Sequence, residues 1–148
     1  MTDLRTLVEE ARRTGVPAPL VDAVPFARFL GLGLELDGSG LVTRLDYTPP
    51  LIGNALLPAL HGGVLGALLE SAAIYGLLWE TPSDRVPKTI SLTVEYLRSA
   101  RATTTWARTD VTRQGRRVAT VRALAWQDDP GRPVAAANAH FLMGRRDE

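Results

Sequence analysis

His61, Gly62 and Gly63 stand at the head of the apolar run HGGVLGALLESAAIYGLLWE, which carries a single acid in its interior, Glu70. A run of this length that is hydrophobic on nearly every face reads as a helix enclosed by other structure. A carboxylate there is costly to ionise unless something uses or compensates it. At the head of the run, two glycines leave the first backbone N–H groups unshielded, and those groups favour negative charge. A bare helix start and an enclosed acid are two halves of a site that attacks a carbonyl. One half stabilises charge developing on oxygen, and the other supplies a base or nucleophile. His61 is placed to cap the helix start or orient the loop before it, a constrained position for a base. Leu60, Leu65, Leu69 and Ile74 fit either the lining of an apolar pocket or plain core.

Composition removes several other chemistries. The chain has 148 residues and no cysteine, which excludes disulfides, thiolate nucleophiles and Cys-based metal sites. Two histidines, His61 and His140, are too few for an obvious zinc site, so no metal is expected. A net charge of +1 gives no global pull toward nucleic acid or membrane. The charge is uneven: residues 1–97 hold 7 basic and 11 acidic side chains, against 10 and 5 in residues 98–148. Residues 1–15 contain acids and no apolar segment of signal-peptide length, which points to a cytoplasmic protein. Residues 61–80 are long enough to span a bilayer, but Glu70, two polar ends and the lack of a basic flank argue against it.

The elements that must position these groups follow from periodicity. Residues 3–14 read as an amphipathic helix stopped by Gly15 and Pro17, and residues 22–29 as a further turn or two. GLGLEL and LVTRLDY alternate around Asp37-Gly38-Ser39-Gly40, a hairpin signature. Residues 48–60 are dense in Pro and Gly and are expected to be irregular. The long helix follows over about 61–80, closed by Thr81-Pro82. In TISLTVEYL, Ile90, Leu92, Val94 and Tyr96 are predicted to face one way and Ser91, Thr93 and Glu95 the other. Strands over 102–113, 117–127 and 133–143 complete an antiparallel meander. One enclosed helix and five or six strands make an α+β layer pair, with the helix laid across a curved sheet. The length suits one domain, residues 1–148, with 1–29 as an N-terminal helical segment.

LIGNALLPALHGGVLGALLESA and KTISLTVEYLRSA, in this order of elements, resemble the hotdog-fold acyl-CoA thioesterases, in particular the phenylacetate-pathway and 4-hydroxybenzoyl-CoA thioesterase branch. The resemblance covers about residues 30–143. It implies hydrolysis of coenzyme A thioesters by homodimers or homotetramers with no metal and no cofactor beyond the coenzyme A of the substrate. Carried over by position, the catalytic acid is Glu70 and the carbonyl-polarising amide is that of Gly62, with Gly63 beside it. Asn54 takes the place of a residue that positions water or thioester, although it lies one residue further from the histidine than the pattern. Thr89 takes that of a hydroxyl at the start of the next strand. Many relatives of the phenylacetate branch carry Asp where this chain has Glu70. Arg98 and Arg101 are the arginines chosen for the phosphates of coenzyme A.

Gly62 and Glu70 are eight residues apart on one helix, about 12 Å of rise, too far for both to reach one thioester carbonyl. If two helices run antiparallel about a two-fold axis, Gly62 of one protomer meets Glu70 of the other, and the homodimer becomes a requirement of the site. Two alternatives use the same fold. A hydratase or dehydratase of enoyl thioesters would use the histidine as a base, and a non-catalytic module would bind acyl-CoA without turnover.

Overall fold

The computed structural model describes residues 3–81 and 83–144. Helix α1 (Leu4–Thr14) opens on Asp3, whose carboxylate accepts from the Thr6 N–H at 2.9 Å, and closes on Gly15 in the left-handed region. The turns expected over 22–29 become a 3-10 turn, Ala18–Ala23, and a short α2, Pro25–Leu30. Strands β1 (Leu32–Asp37) and β2 (Gly40–Leu45) form the expected hairpin.

Residues 48–60 are more regular than their composition suggests. A 3-10 turn, Pro49–Leu51, leads into a two-stranded ribbon of β3 (Ile52–Asn54) and β4 (Ala59–Leu60). The prolines fall in the 3-10 turn and in the ribbon's own turn, at Pro58, so no ladder hydrogen bond is lost to them. The ribbon ends directly at α3 (Gly62–Glu80). Thr81 closes that helix, its N–H donating to the Leu77 carbonyl at 2.8 Å, while Pro82 lies outside the described residues.

The remaining strands are β5 (Lys88–Tyr96), β6 (Thr105–Gln114), β7 (Val118–Trp126) and β8 (Ala135–Leu142). They join β1 and β2 in one antiparallel sheet of order β1-β2-β6-β7-β8-β5. The strand that follows α3 thus lies at the far edge, hydrogen-bonded only to β8. Helix α3 crosses the inner face of the sheet, which β7 and β8 line with Ala119, Ala123, Ala125, Ala135, Ala137 and Ala139, all buried. These short side chains let the helix approach, and Leu68, Leu69, Tyr75, Leu77 and Leu78 complete the core. This is the α+β hotdog arrangement, one long helix wrapped by a six-stranded antiparallel sheet.

Two expectations change in detail, and His140 is placed. Residues 102–104 precede β6 instead of joining it, with Arg101 bridged to Ala59. His140 lies on the exposed outer face of β8 beside the Thr120 hydroxyl, at 3.1 Å. Strand β5 carries an irregularity between Thr89 and Ser91, where it slips against β8.

Candidate active site

His61 is held from both sides before the helix begins. Its N–H donates to the Leu51 carbonyl at 2.8 Å, and a Cβ on Gly53 would lie 2.7 Å from its Cα, so β3 packs directly against it. Its ring then caps α3: Nδ1 accepts from the Gly63 N–H at 2.8 Å. Because a backbone N–H can only donate, Nδ1 carries no proton and the neutral ring is protonated at Nε2. The base that a hydratase would need is therefore committed to the helix start.

The cap also sorts the first amides of α3. Gly63 donates to the ring, while Val64 and Leu65 donate to the His61 carbonyl at 3.0 and 3.3 Å. Among the described residues, the Gly62 N–H alone of these four has no acceptor. One donor remains at the positive end of a nineteen-residue helix, the arrangement an oxyanion needs. Replacing His61 by Ala removes the cap and is expected to cost about 1 kcal/mol, roughly 3 °C in Tm, whereas His61→Asn, a good cap, retains the wild-type Tm by calorimetry.

Glu70 is half-buried, not enclosed as expected. From Ser71 to Leu78 every residue is buried, but the N-terminal half of α3 keeps an open stripe through Gly62, Gly63, Gly66, Ala67 and Glu70. These positions recur at helical spacing, so one face is left uncovered, floored by small residues and ended by a carboxylate. No hydrogen bond or ion pair among the described residues holds that carboxylate. The hydroxyl of Tyr75, one potential partner, donates instead to the Val21 carbonyl at 3.2 Å, and burial together with Asp22 holds the phenol protonated.

Tyr96 joins the candidate site by contact, a placement that the sequence reading missed. Its hydroxyl donates to the Gly62 carbonyl at 2.9 Å, and a Cβ on Gly62 would lie 3.3 Å from its ring. The aromatic ring of the edge strand thus rests on the glycine that bears the free amide. The glycine pair followed downstream by a strand-ending tyrosine was the available signal, but only the packing of β5 on α3 joins them.

The other predicted residues divide into two groups. Asn54 ends β3 next to His61's neighbour Gly53; its Oδ1 accepts from the Leu56 N–H at 3.0 Å, leaving the side-chain NH2 as a donor. Thr89 is exposed near the start of β5. Simple alternation would set it with Ser91 on the outer face. The slip at Ile90 instead puts Thr89 opposite buried Phe141, on the helix-facing side with Leu92, Val94 and Tyr96. Leu60 is core, 6% exposed, its N–H donating to the Ala100 carbonyl. Arg98 donates to the Pro133 carbonyl at 2.8 Å and Arg101 pairs with Asp128, both in a cleft shared with Asp129 and Arg132. No single protomer brings Gly62, Glu70 and Thr89 around one point, since they are spread along two elements.

The profile of the acyl-CoA thioesterase N-terminal domain family matches residues 54–142. The medium/long-chain acyl-CoA thioesterase YigI of Salmonella typhimurium is 32% identical over 137 residues, spanning 82% of this chain and 86% of that protein. A crystal structure from Chromobacterium violaceum superposes with a TM-score of 0.75 at 38% identity, covering 94% of this chain and 97% of that one. A thioesterase-superfamily relative from Shewanella oneidensis gives 0.70 at 27% identity, over 93% and 97% of the two chains. The chain belongs to the acyl-CoA thioesterase family. It is an enzyme whose reaction class is thioester hydrolysis.

Proposed function

We propose that this enzyme hydrolyses medium- to long-chain acyl-CoA in a site shared by two copies of the chain. The observation that carries the reading is the pairing of one amide, Gly62, with one carboxylate, Glu70, both without a partner among the described residues, on the same open stripe of α3. The chain-length class comes from the YigI relatives. Residues 1–148 act in this reading as one hotdog domain, with 1–29 as its helical N-terminal segment.

Edge strand β5 supplies the dimer contact. It is nine residues long, has no ladder partner on one side among the described residues, and exposes Ile90 and Tyr96, with Leu97 exposed just beyond it, an edge that calls for a partner strand. Tyr96 lies over Gly62, and Val94 reaches Gly66. Two strand residues advance about 6.6 Å and four helix residues about 6 Å, so Leu92 comes level with Glu70. For Gly62 of one protomer to meet Glu70 of the other, Tyr96 must pair with Leu92 of the second copy. The two-fold axis then passes close to Val94.

In the completed site the Gly62 N–H polarises the thioester carbonyl. Glu70 of the other protomer either takes a proton from water as the water attacks, or attacks first and forms an anhydride that water opens. On the first route the acyl carbon gains the water oxygen as the C–S bond breaks, and the proton taken by Glu70 passes to the departing thiolate. On the second the carboxylate displaces the thiolate, which takes a proton from solvent, and water then opens the anhydride, releasing the acid and restoring the carboxylate. Thr89, on the helix-facing side of β5, holds the carboxylate or the water, and the Asn54 amide donates to the water or thioester. Gly63, its own N–H used by His61, contributes a bare Cα past which the acyl chain can lie.

A free-thiol release assay over short, medium, long and aromatic acyl-CoAs tests the reading. Turnover is expected to peak with medium and long chains. Loss of an enoyl-CoA absorbance without thiol release would replace it with hydration, and tight binding without turnover would replace it with a binding module.

A further inference from the structure

The first turn of α3 starts from a weak position. It opens on Gly62-Gly63, and glycine loses more backbone freedom on becoming helical than any other residue. A helix start also has no preceding turn to bond its first amides. An oxyanion donor needs the opposite, a direction fixed before substrate arrives. Both peptide planes that meet at Gly62 are in fact held. The plane before it is held by its oxygen, since the His61 carbonyl accepts from the Val64 and Leu65 N–H groups at 3.0 and 3.3 Å. The plane after it is held at both ends. Its N–H, that of Gly63, donates to His61 Nδ1 at 2.8 Å, and its oxygen, that of Gly62, accepts from the Tyr96 hydroxyl at 2.9 Å.

The bonds made by His61, Gly63, Val64 and Leu65 run within one turn and move with it. The Tyr96 bond ties that turn to the six-stranded sheet, because Tyr96 ends β5 opposite the fully buried Ala135. It also takes nothing from the helix: a carbonyl oxygen has two lone pairs, and the ladder to the Gly66 N–H uses one. The glycines are what let the ring come so close. A Cβ on Gly62 would lie 3.3 Å from the ring, and one on Gly66 would lie 3.9 Å from the hydroxyl.

We infer that Tyr96 is a positioning residue for thioester hydrolysis: its hydroxyl tethers the first turn of α3 to the sheet and keeps the Gly62 N–H aimed at the thioester oxygen. It acts through Gly62 and takes part in no bond change. This assignment rests on the role proposed above for the Gly62 amide.

Tyr96→Phe keeps the ring and deletes the tether. Its kcat is expected to fall about five- to tenfold, the effect of one ordinary hydrogen bond, with KM changed by less than about twofold. Tm should fall by no more than about 3 °C, and the loss of kcat should be the same at every protein concentration. A carbonyl probe supplies the second measurement: a ketone analogue of the acyl-CoA, with a methylene between carbonyl and sulfur, binds without being hydrolysed. Its infrared carbonyl band should lie lower on the wild-type enzyme than in buffer, and should move back toward the buffer value on Tyr96→Phe. A thioether analogue that lacks the carbonyl should bind both proteins alike. Wild-type kcat in the variant, or a ketone band in its wild-type place, would overturn the assignment. So would a loss of kcat that follows Tm or recovers as protein concentration rises, which would make the hydroxyl a support of the fold or of the dimer. A band unshifted on the wild-type enzyme would instead remove the Gly62 amide from the mechanism, the reading beneath this one.

Discussion

Glu70→Gln is expected to lower thiol release by about 100-fold or more without lowering Tm. The substitution keeps the shape of the side chain and removes only its ability to take a proton or attack carbon. Stability should hold or improve, because the half-buried carboxylate has no hydrogen bond or ion pair among the described residues to lose. An amide is also cheaper than a charge to keep in that surrounding. A structural acid would behave in the opposite way, losing Tm in proportion to activity. Calorimetry beside the thiol assay separates the two, and a variant that keeps most of its turnover would remove Glu70 from the mechanism.

The second large effect belongs to Gly62. Gly62→Pro deletes the free N–H at the first helical position, where proline is well tolerated. His61 already has the extended backbone that a residue before proline requires, with ψ 134°. Gly62→Ala is the matched control, since it places the same Cβ against the Tyr96 ring but keeps the amide. The proline variant is expected to lose about 100- to 1,000-fold in kcat relative to that control, the effect of removing one oxyanion donor. Mixing this variant with Glu70→Gln then reads the architecture directly. If each site takes Gly62 from one copy and Glu70 from the other, a mixed dimer has one doubly damaged site and one intact site. Random reassociation makes about half of the dimers mixed, so activity returns when two nearly inactive proteins are combined. Sites built within single protomers would give no recovery.

Much of this molecule was legible along the chain. The position of α3, the hairpin at Gly38-Ser39 and the separation of Gly62 from Glu70 all depend on residues close together in sequence. The sidedness of β5 was not legible, because period-two alternation assigns faces only while the ladder is continuous. One slipped residue at Ile90 moves Thr89 to the other side of the sheet. Nor could residue types announce which amide of the helix start remains free, since that depends on how the His61 ring is seated by Gly53 and Leu51.

Local patterning was therefore enough to set the helix, the layer pair and the two chemical groups, since helical and strand periods are properties of neighbouring residues. Tertiary packing decided what those groups face. It closed the C-terminal half of α3, left its glycine stripe and Glu70 open, brought Tyr96 onto Gly62, and put β5 at an unpaired edge. Exposure and strand order arise from contacts between distant segments, and no window of sequence contains both sides of such a contact.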